Sequence, residues 1–245
     1  MKIDILGVSF DNLTMEEAVA AGARLAREPG FHYVVTPNPE IVNLARASRE
    51  YGDILNGADL VLPDGIGVLH AGRILKTPLR ERVPGIDFAA GLLEELAKSG
   101  ARLYLLGAKP GVAHVAGERL QQAYPGLVIC GTGDGYFTDS EAVVQALRDA
   151  GAEVAFICLG APKQEHWMAE YGPRSGVRLM VGLGGALDVF SGQVARAPRV
   201  WQQLGLEWLY RLICQPSRLG RMAKLPLFLV SAWRVQRRRG SDGEG

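Results

Sequence analysis

Two short polar strings in this chain contain residue types that could bind and deprotonate a hydroxyl group. They are TPNPE at residues 36–40 and PDGIG at residues 63–67, and each follows a short apolar run and precedes a stretch with helical periodicity. In an open α/β sheet, that position is the mouth of the crevice where ligands bind. Together the strings supply an amide, a hydroxyl and a carboxylate, which suits a sugar hydroxyl that must be held and deprotonated.

The individual residues of these strings each have two interpretations. Asp64 is a candidate general base, and it is equally a candidate N-cap of the helix that follows, because Asp is favoured there. Thr36 and Asn38 alternate with Pro37 and Pro39, which fix φ and bias the preceding residue toward extended geometry. Such a rigid loop favours a pre-positioned binding site, although either polar residue could instead cap a helix.

Glycine-containing loops follow three other strand-like runs: GAKPG at 107–111, GTGDG at 131–135 and GAPKQE at 160–165. Glycine lets backbone N–H groups approach a phosphate, and three such loops on one sheet indicate a nucleotide site. A fourth loop, GLGG at 182–185, precedes Asp188, which is a candidate ribose ligand or helix cap. The substrate-binding candidates from these loops are Gly107, Gly133, Lys163, Gln164, Gly184, Gly185 and Asp188. Arg82, ahead of another helix, is a candidate for neutralising a diphosphate or an ordinary surface arginine.

Several motifs are absent from the sequence. It contains no D-x-D string, no G-x-G-x-x-G fingerprint, no C-x-x-C pair and no cluster among its four histidines. No metal and no cofactor are therefore expected. The three cysteines are far apart, so we expect reduced thiols and a cytoplasmic location.

Strand-like and helical patterns alternate along residues 1–195. Helices are expected near 14–27, 39–48, 65–75, 86–99, 111–123, 139–150 and 163–171, between strands at Ile3–Val8, His32–Thr36, Leu60–Leu62, Arg102–Gly107, Leu127–Cys130, Val154–Gly160 and Arg178–Gly182. The strands are continuously apolar, which is typical of a parallel sheet covered on both faces. The pattern predicts an α/β fold, doubly wound and Rossmann-like, with a mostly parallel sheet.

The C-terminal part differs in charge. Residues 1–195 hold 17 Lys and Arg against 23 Asp and Glu, and residues 196–245 hold 10 against 3, so the two parts carry −6 and +7. An apolar run at 225–230 lies between arginine-rich flanks and is too short to span a bilayer. We expect residues 1–195 to form the catalytic domain, 196–240 a basic helical appendage lying on an anionic membrane surface, and 241–245 a disordered tail.

Four strings in order and at natural spacing, TPNPE, PDGIG, RVPG at 82–85 and GAPKQE, resemble the WecG/TagA/CpsF family, glycosyltransferase family 26. The resemblance extends to about residue 240. It implies an inverting, metal-independent transfer of a sugar, N-acetylmannosamine first among the candidates, from a UDP-sugar to the C4 hydroxyl of GlcNAc on undecaprenyl diphosphate. It also implies a role in teichoic acid or other cell-surface polysaccharide synthesis.

The same resemblance assigns roles to residues. It implies that Asp64 is the base and that Thr36, Asn38, Arg82 and Gln164 are active-site residues. It also implies that the appendage closes over the site at the membrane and contributes three arginines, Arg211, Arg218 and Arg221. The enzyme would then be cytoplasmic and peripheral on the inner face of the cell membrane. Whether the chain forms a homo-oligomer is left open at this point.

Two other function classes remain open from the residues alone. One is a nucleotide-dependent oxidoreductase on the same fold, although its phosphate fingerprint is missing. The other is a nucleic-acid-binding protein that uses the arginine-rich tail, which would need base-reading or aromatic residues on the same face. The apolar centre of the tail favours a lipid surface over nucleic acid.

Overall fold

The computed structural model describes residues 1–198, 200–201, 209–210 and 225–241. Within these residues, six strands form one parallel sheet and two more form a separate antiparallel pair. The strands are β1 Lys2–Ile5, β2 Val8–Asp11, β3 His32–Val35, β4 Leu60–Val61, β5 Arg102–Gly107, β6 Val128–Gly133, β7 Val154–Cys158 and β8 Leu179–Gly182. The large sheet has the order β4-β3-β8-β7-β5-β6, which confirms the predicted parallel α/β architecture.

Helices cover both faces of this sheet. They are α1 Met15–Leu25, α2 Pro39–Ala47, α3 Arg49–Asn56, α4 Ile66–Ile74, α5 Gly85–Ser99, α6 Val112–Ala123, α7 Ser140–Asp149, α8 Lys163–Tyr171, α9 Ala186–Phe190 and α10 Leu225–Ser241. The first layer contains α2, α3, α4, α7, α8 and α10, and the second layer contains α1, α5, α6 and α9. The fold is therefore doubly wound, as predicted.

The burial of the strands explains why their sequences are continuously apolar and do not alternate between apolar and polar residues. Every residue of β7 and β8 is buried. Along β7, Phe156 packs in the second layer and the next residue, Ile157, packs in the first, because successive side chains of a strand point to opposite faces. Both faces exclude water, so both must be apolar.

The first strand was predicted wrongly. The pattern Ile3–Val8 predicts one strand of the parallel sheet, but the chain turns back at Leu6 and Gly7, and β1 and β2 form an antiparallel hairpin. Both turn residues have positive φ, 58° and 92°, as a two-residue hairpin turn requires. Leucine at the first turn position is not a usual signal for such a turn, so the apolar run concealed it.

A helix was also missed. The helix predicted near 39–48 ends at Ala47, and α3 begins at Arg49. Ser48 separates them because its backbone is extended, at φ −136° and ψ 114°, and its hydroxyl accepts the N–H of Tyr51 at 3.3 Å. One Ser therefore ends the first helix and caps the second. The five-residue α9 was not predicted either, since it is too short to show a periodicity.

The helix α10 lies against α4 and α2 of the first layer. Its residues Phe228 and Ala232 are fully buried in the core of that layer, whereas Leu227 and Trp233 are 65% and 50% exposed. The guanidinium of Arg237 lies over the Trp233 ring, 4.7 Å from its centroid. This helix therefore has one apolar face packed on the protein and another exposed beside arginines.

The predicted appendage and tail are described only in part. The helix α10 continues to Ser241, the first residue of the predicted disordered tail, and residues 242–245 lie outside the described residues. Most of the part of the predicted appendage that precedes α10 also lies outside them. Where the chain is described, no helix combines the length and the apolar character that crossing a bilayer requires.

Candidate active site

Apart from RVPG, which precedes α5, the polar strings of the sequence lie at the carboxyl ends of strands of the large sheet and so along its carboxyl edge. The strand β8 is the centre of this edge. The chain continues from its neighbours β3 and β7 into the first layer, but from β8 into the second. Connections that diverge in this way leave a crevice at the carboxyl ends of the strands. This topology favours a crevice on each side of β8.

Thr36 links the two strands that border one of these crevices. Its side chain is buried, and its hydroxyl donates a hydrogen bond to the carbonyl oxygen of Gly182 at 3.1 Å. The side chain also lies against Gly85, where a Cβ atom would be only 3.0 Å from the threonine Oγ1. Thr36 therefore connects the ends of β3 and β8 and the start of α5.

Asp64 lies on the loop after β4, directly beside the loop after β3. Its backbone N–H donates to the carbonyl oxygen of Pro37 at 3.2 Å. The capping alternative for its side chain is not what the structure contains, since Gly65 is the N-cap of α4 and α4 has no side-chain cap. The half-buried carboxylate of Asp64 is thus placed at the edge of the sheet without serving as a helix cap.

Asn38 does act as a helix cap. Its Oδ1 accepts the N–H of Ile41 at 3.0 Å and begins α2, so the capping interpretation is confirmed for this residue. The cap fixes which way the amide points, and the other end of that amide, Nδ2, is a hydrogen-bond donor. A Cβ atom at Gly65 would lie 3.8 Å from that of Asn38, which places Asn38 next to the Asp64 loop.

Arg82 is held beside the same loop by its own segment. The N–H of the following residue, Val83, donates to the carbonyl oxygen of Pro63 at 3.0 Å. The segment then leads into Gly85 and its contact with Thr36. The structure therefore brings the segments of four candidates, Thr36, Asn38, Asp64 and Arg82, to one end of the carboxyl edge.

Gln164 is not an exposed side chain but a buried link between β7 and β8. It is 2% exposed, its Oε1 accepts the N–H of Gly184 at 2.9 Å, and its Nε2 donates to Oε1 of Glu165 at 2.8 Å. The other carboxylate oxygen of Glu165 accepts the hydroxyl of Tyr51 at 3.0 Å. Burial raises the pKa of the Glu165 carboxyl, and these hydrogen bonds oppose that rise.

Lys163 stabilises the loop after β6. Its ammonium donates to the carbonyl oxygen of Gly135 at 3.0 Å and lies 4.7 Å from the centroid of the Phe137 ring. The N–H of Gly135 in turn donates to the carbonyl oxygen of Ala108 at 2.9 Å, so the loops after β5 and β6 are joined. This ammonium therefore has a structural role on the β6 side of the edge.

The candidate glycines fall into two groups. A Cβ atom at Gly107 would be 2.3 Å from the Cys158 carbonyl oxygen, and one at Gly133 would be 3.1 Å from Leu106, so both positions are required for packing between strands. A Cβ atom at Gly184 would meet nothing within 4 Å, although its φ is +55°. Gly185 is exposed. Only this second pair has open space at the crevice.

Asp188 lies in the first turn of α9, half-buried, with Oδ2 3.6 Å from where a Cβ of Gly185 would be. It is therefore close to the open glycine pair. The nearby thiol of Cys158 is inert, because burial raises its pKa to about 12 and the Asp188 carboxylate adds to that rise. The three arginines expected from the appendage, Arg211, Arg218 and Arg221, lie outside the described residues.

Three side chains at or behind this edge were missed in the sequence. Glu165 and Tyr51 are buried behind the crevice, and nothing in the spacing of the sequence brings α3 and α8 together. Tyr136, next to Gly135, is 68% exposed, and its ring offers a face on which a base could stack. An aromatic residue directly after a glycine loop was the available signal. In the described part of the chain, no three His, Cys, Asp or Glu side chains are grouped so as to share a metal ion.

Comparisons with known proteins give one consistent result. Residues 3–242 match the family model described as the glycosyl transferase WecG/TagA/CpsF family. The N-acetylglucosaminyldiphosphoundecaprenol N-acetyl-beta-D-mannosaminyltransferase of Staphylococcus aureus strain MRSA252 is 34% identical over 239 residues, which cover 97% of this chain and 94% of the relative. Proteins of the same name from strains NCTC 8325 / PS 47 and COL show the same identity and coverage.

The two kinds of glycine predict different effects of the same substitution. Gly107→Ala should lower the free energy of unfolding by about 3 kcal/mol or more, because its φ of +136° is strained for alanine and its Cβ would overlap the Cys158 carbonyl. Gly111→Ala, at φ +82° with nothing within 4 Å, should cost only about 1–2 kcal/mol. Chemical denaturation measures both values, and equal losses would contradict the close-packing role of Gly107.

Proposed function

Because the chain belongs to the WecG/TagA/CpsF family and is a glycosyltransferase, we propose that it moves N-acetylmannosamine from UDP to the C4 hydroxyl of GlcNAc on undecaprenyl diphosphate. The names of the Staphylococcus aureus relatives contain both the acceptor and the transferred sugar, and they support this choice. The family also favours a glycosyltransferase over the oxidoreductase and nucleic-acid-binding alternatives. The product would enter teichoic acid or a related surface polymer.

The position of Asp64 carries this proposal. Its loop is hydrogen-bonded to the loop of Asn38, and α4 begins without using its side chain as a cap. We assign Asp64 as the general base. The acceptor hydroxyl oxygen attacks the anomeric carbon while Asp64 takes its proton, and the bond from that carbon to the UDP oxygen breaks with its electron pair leaving on UDP. A single displacement of this kind inverts the anomeric configuration and requires one base.

The departing diphosphate needs positive charge or hydrogen-bond donors. We assign this role to Arg82 and to the backbone N–H of Gly185, since the Gly184 N–H already donates to Gln164, with Arg211, Arg218 and Arg221 of the appendage completing it. Arginine suits the task because its planar guanidinium binds phosphate oxygens through two hydrogen bonds. In the proposed transfer, arginine side chains of the protein therefore neutralise the departing diphosphate. We expect the reaction to be independent of added metal. Asp188, beside Gly185, is assigned to the ribose of the donor.

The exposed face of α10 explains how an enzyme of this kind would reach a lipid-linked acceptor. Leu227, Val230 and Trp233 are exposed together on this helix, and Arg234 and Arg237 are exposed next to them. Apolar side chains beside cations suit the interface of an anionic bilayer. We propose that residues 1–195 are the catalytic domain and that 196–240 bind the inner face of the cell membrane.

Asp64→Asn should lower turnover by about 10²–10⁴-fold, because the amide cannot accept the acceptor's proton. The test measures transfer from UDP-N-acetylmannosamine to a short-chain lipid-diphosphate-GlcNAc analogue, with and without EDTA, beside a panel of other UDP-sugars. UDP binding should remain near the wild-type value. The control is Asp53→Asn, which removes an exposed carboxylate from α3. Equal turnover in the two variants would refute the base assignment.

Asn38→Asp separates the cap from the proposed contact with substrate. Aspartate keeps the oxygen that caps α2, so the free energy of unfolding should change by less than about 0.5 kcal/mol. Turnover should nevertheless fall by about tenfold or more, because the Nδ2 donor is lost and a negative charge is added next to Asp64. Ser48→Ala is the matched control, since it should lose about 1 kcal/mol of cap energy and keep wild-type turnover. Normal turnover in Asn38→Asp would leave this residue a cap only.

The double substitution Leu227→Ser with Trp233→Ser should weaken binding to anionic phosphatidylglycerol vesicles by about tenfold or more, because two apolar side chains no longer enter the interface. Vesicle sedimentation measures this binding, and neutral phosphatidylcholine vesicles should bind the wild type more weakly. Val115→Ser changes an exposed apolar residue on α6 and serves as the control. Unchanged binding of the double variant would exclude this face of α10 as the membrane contact.

A further inference from the structure

We propose that Glu165 and Tyr51 are positioning residues for the transfer: the buried Glu165 carboxylate, held by the Tyr51 hydroxyl, fixes the orientation of the Gln164 amide, and this amide sets the shape of the turn at Gly182–Gly185. The inference rests on the proposed function, which assigns that turn to the donor. It adds two buried side chains from α8 and α3 that do not themselves touch substrate.

The contacts form one continuous path from α3 to the crevice. The Tyr51 hydroxyl donates to Glu165 Oε2 at 3.0 Å, Gln164 Nε2 donates to Glu165 Oε1 at 2.8 Å, and the Gly184 N–H donates to Gln164 Oε1 at 2.9 Å. The three side chains are almost completely buried. Water therefore does not substitute for any of these partners without entering the core.

The chemistry of these groups allows only one orientation of the Gln164 amide. A carboxylate only accepts hydrogen bonds, and a backbone N–H only donates them. The amide must therefore point its NH2 at Glu165 and its oxygen at Gly184. Turning the amide by 180° would place its oxygen against the Glu165 carboxylate and its NH2 against the Gly184 N–H. Both ends would then lack a hydrogen bond, and buried polar groups without partners are costly.

The turn after β8 needs such support because its glycines leave it thinly packed and conformationally free. Gly184 has φ +55°, and a Cβ atom there would meet nothing within 4 Å. At Gly182, by contrast, a Cβ atom would be 3.1 Å from Gln164 Nε2, and its carbonyl oxygen accepts the Thr36 hydroxyl. Besides the backbone hydrogen bond from the Leu183 N–H to the Ile157 carbonyl oxygen at 2.9 Å, the turn is therefore held by the side chains of Thr36 and Gln164.

The burial of Glu165 supports a role for its carboxylate as the hydrogen-bond acceptor of the Gln164 amide. Burial raises its pKa, which means that the charged form pays a desolvation penalty in this position. An apolar side chain of the same size would avoid that penalty but would offer Gln164 no acceptor. The hydrogen-bond acceptor, rather than the negative charge, is what the amide requires.

The test compares two substitutions of Glu165. In Glu165→Gln the new side-chain oxygen still accepts from Gln164, and the Tyr51 hydroxyl can turn to accept from the new NH2, so the KM for UDP-sugar should stay within about twofold of the wild-type value. In Glu165→Leu the acceptor is absent, and the KM for UDP-sugar should rise about tenfold, equivalent to about 1.4 kcal/mol. The KM for the lipid-linked acceptor should change little. Glu170→Leu, on the exposed side of the same helix, is the control.

A loss of folded protein would give a different result. It would lower the apparent kcat in proportion to the inactive fraction and leave the KM for UDP-sugar unchanged. If both Glu165 variants keep the wild-type KM, Glu165 is only a packing residue and the inference is overturned. If Glu165→Gln is as defective as Glu165→Leu, the charge itself is required and the orientation argument fails.

Hydrogen exchange of the Gly184 amide gives a readout that does not need turnover. Its exchange should accelerate at least tenfold in Glu165→Leu and stay near the wild-type rate in Glu165→Gln. Tyr51→Phe keeps the ring stacked on His166, with centroids 5.4 Å apart, and should accelerate the same exchange about threefold. It serves as the test if Glu165→Leu does not fold, and unchanged exchange in Tyr51→Phe would then overturn the inference.

The exchange readout also separates this inference from the proposed function. If the wild type transfers no sugar from any UDP-sugar but the Gly184 exchange follows this pattern, the network holds the turn and the function is wrong. If transfer is normal and the exchange pattern fails, the function stands and the network does not hold the turn.

Discussion

The site depends on how a single turn, Gly182–Gly185, is held between two parallel strands. Thr36 binds the carbonyl at its start, and Gln164 binds the N–H of Gly184 two residues later. These bonds join the loops after β3, β8 and β7 across the point where the chain changes from one face of the sheet to the other. Parallel strands have no hairpin to fix the relative positions of their ends, and these buried side-chain bonds act beside the backbone hydrogen bond from the Leu183 N–H to the Ile157 carbonyl oxygen at 2.9 Å.

The same edge connects the candidate base to the surface of the protein. Asp64 lies two residues before α4, and α4 is the helix against which α10 packs through Phe228 and Ala232. The other face of α10 exposes Leu227 and Trp233. The helix that we propose for membrane binding is therefore in direct contact with the helix that follows the candidate base. In this proposal, anchoring of α10 at the bilayer restrains the distance between the bilayer surface and Asp64.

Structural contacts explain the residue type fully at some candidate positions and only partly at others. Asn38 caps α2 through one end of its amide, and Lys163 stabilises the β6 loop through its ammonium. Gly107 and Gly133 are needed because strands approach them closely. These roles account for the residue types in full at the two glycines, whereas the cap at Asn38 would be served as well by aspartate. The amide of Asn38 is thus the feature that its structural role does not explain.

The sequence by itself determined the fold class, the alternation of strands and helices and the edge on which the polar loops lie. Continuous apolar strands imply a sheet covered on both faces, and in a parallel sheet every strand ends at the same edge. It also determined the family, since the four strings occur in order along the chain. It failed at the β1–β2 hairpin and at α3, where one positive-φ leucine and one capping serine changed the chain direction without a pattern that spacing could reveal.

Only the tertiary structure decided which side chains meet. Tyr51 and Glu165 are 114 residues apart, and their hydrogen bond exists because α3 and α8 pack side by side in the first layer. The tertiary structure also decided that Gln164 is buried and that Asp64 is not a helix cap. Residue type and spacing in the sequence left both questions open. A local pattern fixes which residues follow a strand, but burial and hydrogen-bond partners are set by elements that are distant in the chain, because packing brings them together only in the folded protein.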